Sequence, residues 1–402
     1  MATTPYPFVA GAVLTASQLN STFNIPTTTK TASYTLTAAD AGTRIYMNSS
    51  SATTITVNTS IFAASDVVEI VNIGSGTTTI TAGTATVSTS STLALVQYAG
   101  GRLVFTSASA SIFFLAGGKP QNAITVDYLV LGAGGGGGGN GGGGGGGGVR
   151  SSVTNTGGGG SLESAQTLFT NNDYPVIIGA GGAGGTWNGS TANTRAINGG
   201  VSQFNTIVAN GGGAGAGFLE RPAQDGGCGG GQAVNSIPIG NGLTNQGYAG
   251  GTGGSTAGGQ AWGGGGGGGG VGGNGVASSS GGAGGVGVAS SISGSSVTYS
   301  GGGGGGANTV AAGGAGGSSN GGNGSGTSNG TNGTVNRGGG GGGAGNAAST
   351  TGGSGSSGVV ILRYADTLTI TFGAGLTGTE SAASGGYKRA TITAGSGLVR
   401  WS

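Results

Sequence analysis

The stretch VDYLVLGAGGGGGG, residues 126–139, passes from a β-strand pattern to a run that no strand or helix would choose. Valine, tyrosine and leucine crowd residues 125–131, as expected of a strand buried on both faces. Glycine then takes over, and it is the residue that loses most conformational freedom on folding. A second strand of the same kind, GVVILRY at 358–364, closes the glycine-rich block. The two are expected to pair and clamp its ends. Two further strand-like runs, 174–178 and 204–209, lie between them. Pure glycine fills 134–139, 141–148, 263–270, 301–306 and 338–343.

The distribution of glycine marks the boundaries. Of 106 glycines in 402 residues, nine lie in 1–131, seven in 359–402 and the other 90 in 132–358. The domains expected are an N-terminal arm (1–24), a β-domain (25–120), a glycine-rich domain (121–364) and a C-terminal β-unit (365–402). The fold class is mainly β plus glycine-rich.

Two readings of the glycine runs stand. They are flexible linkers, or they are packed helices of the polyproline-II type, with three residues per turn and ~3.1 Å rise per residue. Such a helix has no internal hydrogen bonds, so only a bundle could satisfy its backbone. Five long runs, bracketing strands and a charged fraction of only 5% favour the bundle. Disorder would ask for more charge and fewer apolar residues. The seven prolines and the absence of a Gly-X-Y period exclude collagen.

Residues 25–120 carry short β-branched and aromatic runs, such as 44–47, 53–57, 67–71, 93–98, 102–105 and 112–115, separated by turn signals. Seven or eight strands at this spacing predict a small β-sandwich or barrel. The arm holds Pro5 and Pro7, then Thr15 as a helix N-cap over 16–23. Its apolar residues Phe8, Val13, Leu14, Leu19 and Phe23 are too many to bury alone. They dock on the chain's own next domain or on a partner protein. In the tail, 368–372, 389–393 and 398–401 read as strands.

Much chemistry is excluded. There is no histidine, hence no histidine-based triad. Net charge is +2 without a dense basic run, so nucleic-acid binding is not expected. No apolar run is long enough for membrane insertion. Met1–Phe23 lacks the basic start of a signal peptide, which suits assembly in a cytoplasm. Matches to G-x-G-x-x-G abound but precede no helix, and Lys30, Lys119 and Lys388 form no phosphate-binding loop. No cofactor or metal is expected. Glu163, Asp173, Glu220 and Asp225 are the block's acids; only Glu220 and Asp225 share a loop, where an ordinary ion pair with Arg221 is the plainer reading. Cys228 reads as a small apolar residue.

A bundle would concentrate contacts in the loops between runs. These hold Trp187, Phe218, Leu219, Arg221, Tyr248, Gln260 and Trp262. Aromatics with polar neighbours offer contact area at low entropic cost. The alternative is that they plug the bundle's ends as core.

Three segments resemble bacteriophage tail fibres and adhesins. PYPFVAGAVLTASQLN (5–20) is similar to segments that attach a fibre to the virion. SYTLTAADAGTRIYMNSSSATTITV (33–57) is similar to a small β-domain of tail proteins. VDYLVLGAGGGGGG (126–139), YPVIIGAGGAGG (174–185) and GGSGSSGVVILRY (352–364) resemble a glycine-rich adhesin domain. The resemblance implies a virion protein of polyglycine-II type, anchored to other tail or baseplate proteins through Phe8, Val13, Leu14, Leu19 and Phe23. It further implies a homotrimer and a host receptor, a polysaccharide or an outer-surface protein, bound by distal loops holding Trp187, Phe218, Arg221, Tyr248, Gln260 and Trp262. The alternatives are an architectural fibre without receptor binding, or a tailspike that degrades host polysaccharide.

Overall fold

The computed structural model describes residues 25–89, 92–116, 122–189, 193–218, 222–233, 238–257, 259–308 and 312–402. The expected arm, with Phe8, Val13, Leu14, Leu19, Phe23 and the helix over 16–23, lies outside them. The chain divides into two compact units, one running to Asn122 with Phe169–Asn171 added, the other holding the rest.

In the first unit the alternation of apolar and polar residues does make strands buried on one face, as in Thr53–Val57 and Val67–Asn72. They form two sheets around a core of Ile45, Ile55, Ile70, Ile80, Leu103 and Phe113. The expected sandwich or barrel needs one correction. Between Thr27 and Ala82 the strands are not joined as antiparallel hairpins. The chain passes from sheet to sheet, so Arg44–Met47 lies parallel to Val67–Asn72 and Thr53–Val57 parallel to Thr78–Ala82. This is a short β-solenoid. Like stacks on like: Ile45 pairs with Ile70, Ile55 with Ile80, and the hydroxyls of Thr53 and Thr78 lie 2.9 Å apart. Buried Asn72 fixes one corner. Its Nδ2 donates to the carbonyls of Gly76 and Leu95, each at 2.8 Å, and its Oδ1 accepts from the Gly74 N–H at 3.1 Å. An antiparallel pair, Gly100–Ser107 with Ala110–Ala116, completes the larger sheet.

In the second unit the opening strand Ala123–Leu131 pairs antiparallel with the closing strand Val359–Ala365, Leu129 facing Ile361. Arg363 bridges to Asp127 at 2.6 Å across the same pair. The tail is not a unit of its own. Its long strand Tyr387–Trp401 lies between Val359–Ala365 and Tyr174–Ile177 in one sheet, which continues to Ser202–Phe204 and Ile207–Ala209. One sheet face packs Trp401, Tyr364, Phe204 and Tyr128. The other packs Leu131, Val359 and Ile361 on Val288, Ile292 and Tyr299.

From these strands the glycine runs emerge as extended segments bonded to one another with a three-residue period. Gly135 and Gly138 donate to the carbonyls of Gly145 and Gly142, Gly136 to Ile197, and Gly134 and Gly137 to Ser356 and Gly353, all at 2.8–3.0 Å. The carbonyls of the same run accept from Gly182 and Gly185, from Gly212 and Gly215, and from Gly341 and Ala344. Residues three apart thus meet the same neighbour, as a three-per-turn helix requires. The run touches six segments, donating to three and accepting from three. The runs 141–148, 263–267, 301–306 and 339–344 have the same six-fold surround. The long glycine runs are therefore the interior of a hexagonally packed lattice.

Glycine is obligatory there because each neighbour fills the space of a side chain. A Cβ on Gly303 would lie 2.0 Å from the carbonyl oxygen of Gly341. At the lattice edge one residue in three faces outward, and there side chains return. Ala283, Val286 and Ala289 are exposed along one edge segment and Ala312, Ala315 and Ser318 along another, with buried or half-buried residues between. Edge N–H groups that find no backbone carbonyl are met by asparagine side chains of the adjoining segment. Asn274 Oδ1 accepts from Thr252, Asn329 from Thr351 and Asn332 from Ser354, at 2.8–2.9 Å.

Gly303→Ala should therefore destabilise by about 3 kcal/mol or more, because a packed backbone has no rotamer with which to yield. Ala283→Ser, one turn of polar chemistry on the exposed edge, should stay within ~0.5 kcal/mol of the parent. Thermal or denaturant unfolding of the two variants checks both.

Candidate binding surface

The lattice has two ends. The sheet closes one. At the other, the chain reverses at Asn140 between two interior runs, held in the left-handed region with φ 49°; its Nδ2 donates to Asn346 Oδ1 at 2.9 Å. Around this far end lie the short loops that carry most of the candidate side chains.

Trp187 sits in the strand Thr186–Trp187, which pairs with Asn193–Thr194 and Thr350–Thr351. The hydroxyls of Thr186 and Thr194 lie 2.7 Å apart and hold this loop across its base. The Trp187 ring meets Phe218 edge to face, centroids 5.5 Å apart. Trp187 is only 6% exposed, while Phe218 is half-buried. Arg195 is exposed nearby and reaches the Pro222 carbonyl at 3.5 Å. Gln260 is half-buried in the hairpin Gly254–Thr256 with Gly259–Ala261. Leu219 and Arg221 lie outside the described residues.

Three candidates need correction. Trp262 is wholly buried against Ala216, Ala223 and Ala233. It plugs the lattice, as the alternative reading allowed, and presents no surface. It packs among these alanines at the head of the run 263–270. Tyr248 is at the opposite end: its N–H donates to Gly267 and its ring neighbours Gly159 and Val288 in a surface recess. Trp187, too, is more a support for Phe218 than a contact in its own right. The structure thus gathers Trp187, Phe218, Gln260 and Trp262 at the far end and leaves Phe218 and Gln260 partly open.

Among the described residues, the block's acids Glu163, Asp173 and Asp225 are committed to structure. Asp225 Oδ1 accepts from the Asn241 N–H at 2.6 Å and from its side-chain amide at 3.2 Å. Glu220 lies outside the described residues. Asp173 pairs with Arg400 at 2.6 Å. Glu163 is bridged to Arg150 and accepts from the Tyr128 hydroxyl at 2.7 Å. Burial raises the Glu163 pKa, but the bonds from Arg150 and Tyr128 outweigh it and hold the carboxyl below its ordinary value. Cys228 is buried in the lattice; desolvation pushes its thiol up to about 11 against the opposing bond from Ser300, so it is no nucleophile at neutral pH. Among the described residues no group of acidic, cysteine or histidine side chains has the make-up of a metal site.

The glycine-rich domain family model matches residues 116–365, more than half of the chain, and the chain belongs to that family. The match runs from before the opening strand to the end of the closing strand, so it takes in the whole lattice. No curated protein and no solved structure matches the chain.

Trp262→Ala should cost about 3–5 kcal/mol, the usual penalty for emptying a tryptophan-sized core site. Phe218→Ala, half in solvent, should cost less than half as much. Equal, small losses in unfolding experiments would place Trp262 at the surface instead.

Proposed function

We propose that this protein is a structural tail-fibre protein of a bacteriophage, anchored to the virion by its N-terminal segment, that binds a host cell-surface receptor through the far-end loops of its glycine-rich domain. The observation that carries the reading is the lattice itself. A six-fold hydrogen-bonded interior holds its ends rigidly, and short loops mounted on such a platform lose little entropy on binding. The resemblance of residues 5–20, 33–57 and 126–139 to tail-fibre and adhesin segments supplies the biological setting. The receptor is a surface polysaccharide or outer-surface protein. The action is binding rather than catalysis, in keeping with acidic side chains already engaged in ion pairs and caps. As a homotrimer, displayed several times on each virion, weak single contacts would add through avidity.

The burial of Trp187 and Trp262 favours one rival, a purely architectural fibre whose recognition is supplied by another virion protein. The two readings part on purified protein. Fluorescently labelled full-length chain should coat host cells. Phe218→Ala combined with Gln260→Ala should reduce the coating by about tenfold or more, the loss expected for removing a central interface anchor. Tyr248→Ala, at the opposite end, should coat as the parent does. A parent protein that fails to coat host cells would leave the architectural reading in possession.

A further inference from the structure

The first unit carries a groove with no part in the lattice. It lies on the outer face of the larger sheet, where cross-strand neighbours form two rows. One row is Arg44, Glu69, Arg102 and Phe114, and the next is Tyr46, Val71, Gly100 and Ala116. Gly100 leaves the second row without a side chain at its centre. The resulting cavity of about 540 Å³ falls within the usual size of small-molecule sites, about 300–1,000 Å³.

Tyr98 stands at its edge under strain. It occupies the third position of the turn 96–99, closed by a bond from the Ala99 N–H to the Val96 carbonyl at 3.0 Å. Its φ is 64°, a left-handed conformation that suits glycine or asparagine and is a genuine outlier for a bulky residue. Tyr98 is 77% exposed, so no burial offsets the strain. Backbone strain that packing does not repay points to function. Phe114, on the same face, is 53% exposed.

The charges beside these rings do not balance. Glu69 accepts from Arg44 at 2.6 Å and from Arg102 Nε at 2.9 Å. Partial burial raises the Glu69 pKa, but both arginine bonds outweigh it and keep the carboxylate ionised. Two guanidinium groups thus face one carboxylate. Arg102 is 65% exposed and bonds Glu69 through Nε, leaving the outer edge of its planar fork directed away from that bond, and that edge matches a second carboxylate in bidentate geometry.

We propose that this groove binds an acidic saccharide, with the sugar ring stacked on Tyr98 and Phe114 and its carboxylate taken by Arg102. Flat exposed aromatics suit the C–H face of a pyranose, and the surplus positive charge selects a uronate over a neutral sugar. This site is independent of the far-end loops and of the reading given to them.

The test titrates the full-length chain by calorimetry with a short oligogalacturonate and with its methyl ester, which keeps the rings and removes the charge. The acid should bind, and the ester at least about tenfold more weakly, the loss of one charge-assisted pair being worth that much. Tyr98→Gly should lose binding by a similar factor while its melting temperature holds or rises, since glycine relieves the turn. Arg102→Gln, a surface change that leaves Arg44 on Glu69, should abolish the preference for acid over ester. No binding by the parent, equal binding of acid and ester, undiminished binding by Tyr98→Gly, or a lowered melting temperature in that variant would each overturn the proposal.

Discussion

A helix with three residues per turn has no hydrogen bonds of its own, and everything in the second unit follows from that. Each buried N–H and C=O must find a partner on another segment, since an unpaired one costs a large part of a hydrogen bond's worth. In the interior the donors and acceptors of one run point to six directions in turn, and six segments must answer. They can approach only if no side chain intervenes. The composition, extreme as a composition, is therefore a packing requirement. Glycine's entropic cost on folding is met by a lattice in which nearly every interior residue both donates and accepts.

Such a lattice needs a start. Isolated glycine runs would not order, and the sheet supplies the ordered ends. Ala123–Leu131 leads into the run at 134–139, Val149–Ser151 follows the run ending at 148, and Val359–Ala365 follows the last edge segment. The sheet's two apolar faces provide conventional burial to set the register of the segments. Because all segments are then tied together laterally, the far end inherits that register across the whole run, roughly 25 Å for eight residues at ~3.1 Å each. This is what makes a short loop there a fixed feature.

Much of this was legible in the chain. The opening and closing strands and the five glycine runs could be named from residue type alone, because buried strands and side-chain-free packing leave direct marks on composition. The edge could have been found as well: AGGAGGT at 180–186 and GGAGGVGVA at 281–289 place a side chain at every third position, the signature of one outward face. The solenoid rung was harder. It is written only once, as TTITV at 53–57 and TTITA at 78–82, and a single repeat hides among other threonine-rich strands. The tail's place in the central sheet is a long-range pairing that no local pattern records. Trp262 and Phe218 show the same limit. An aromatic residue beside glycine looks alike whether it plugs the lattice or faces solvent, and which end of the bundle it reaches depends on the number of crossings before it, as Tyr248 demonstrates.

The glycine interior is a cooperative hydrogen-bonded lattice. Amide hydrogen exchange, resolved to the segments 134–139, 141–148 and 301–306, tests it most directly. These amides should exchange only with global unfolding, as slowly as the strands Ala123–Leu131 and Val359–Ala365 and far more slowly than the edge loops. Exchange of the glycine runs at the rate of an unstructured peptide, with the flanking strands still protected, would contradict it.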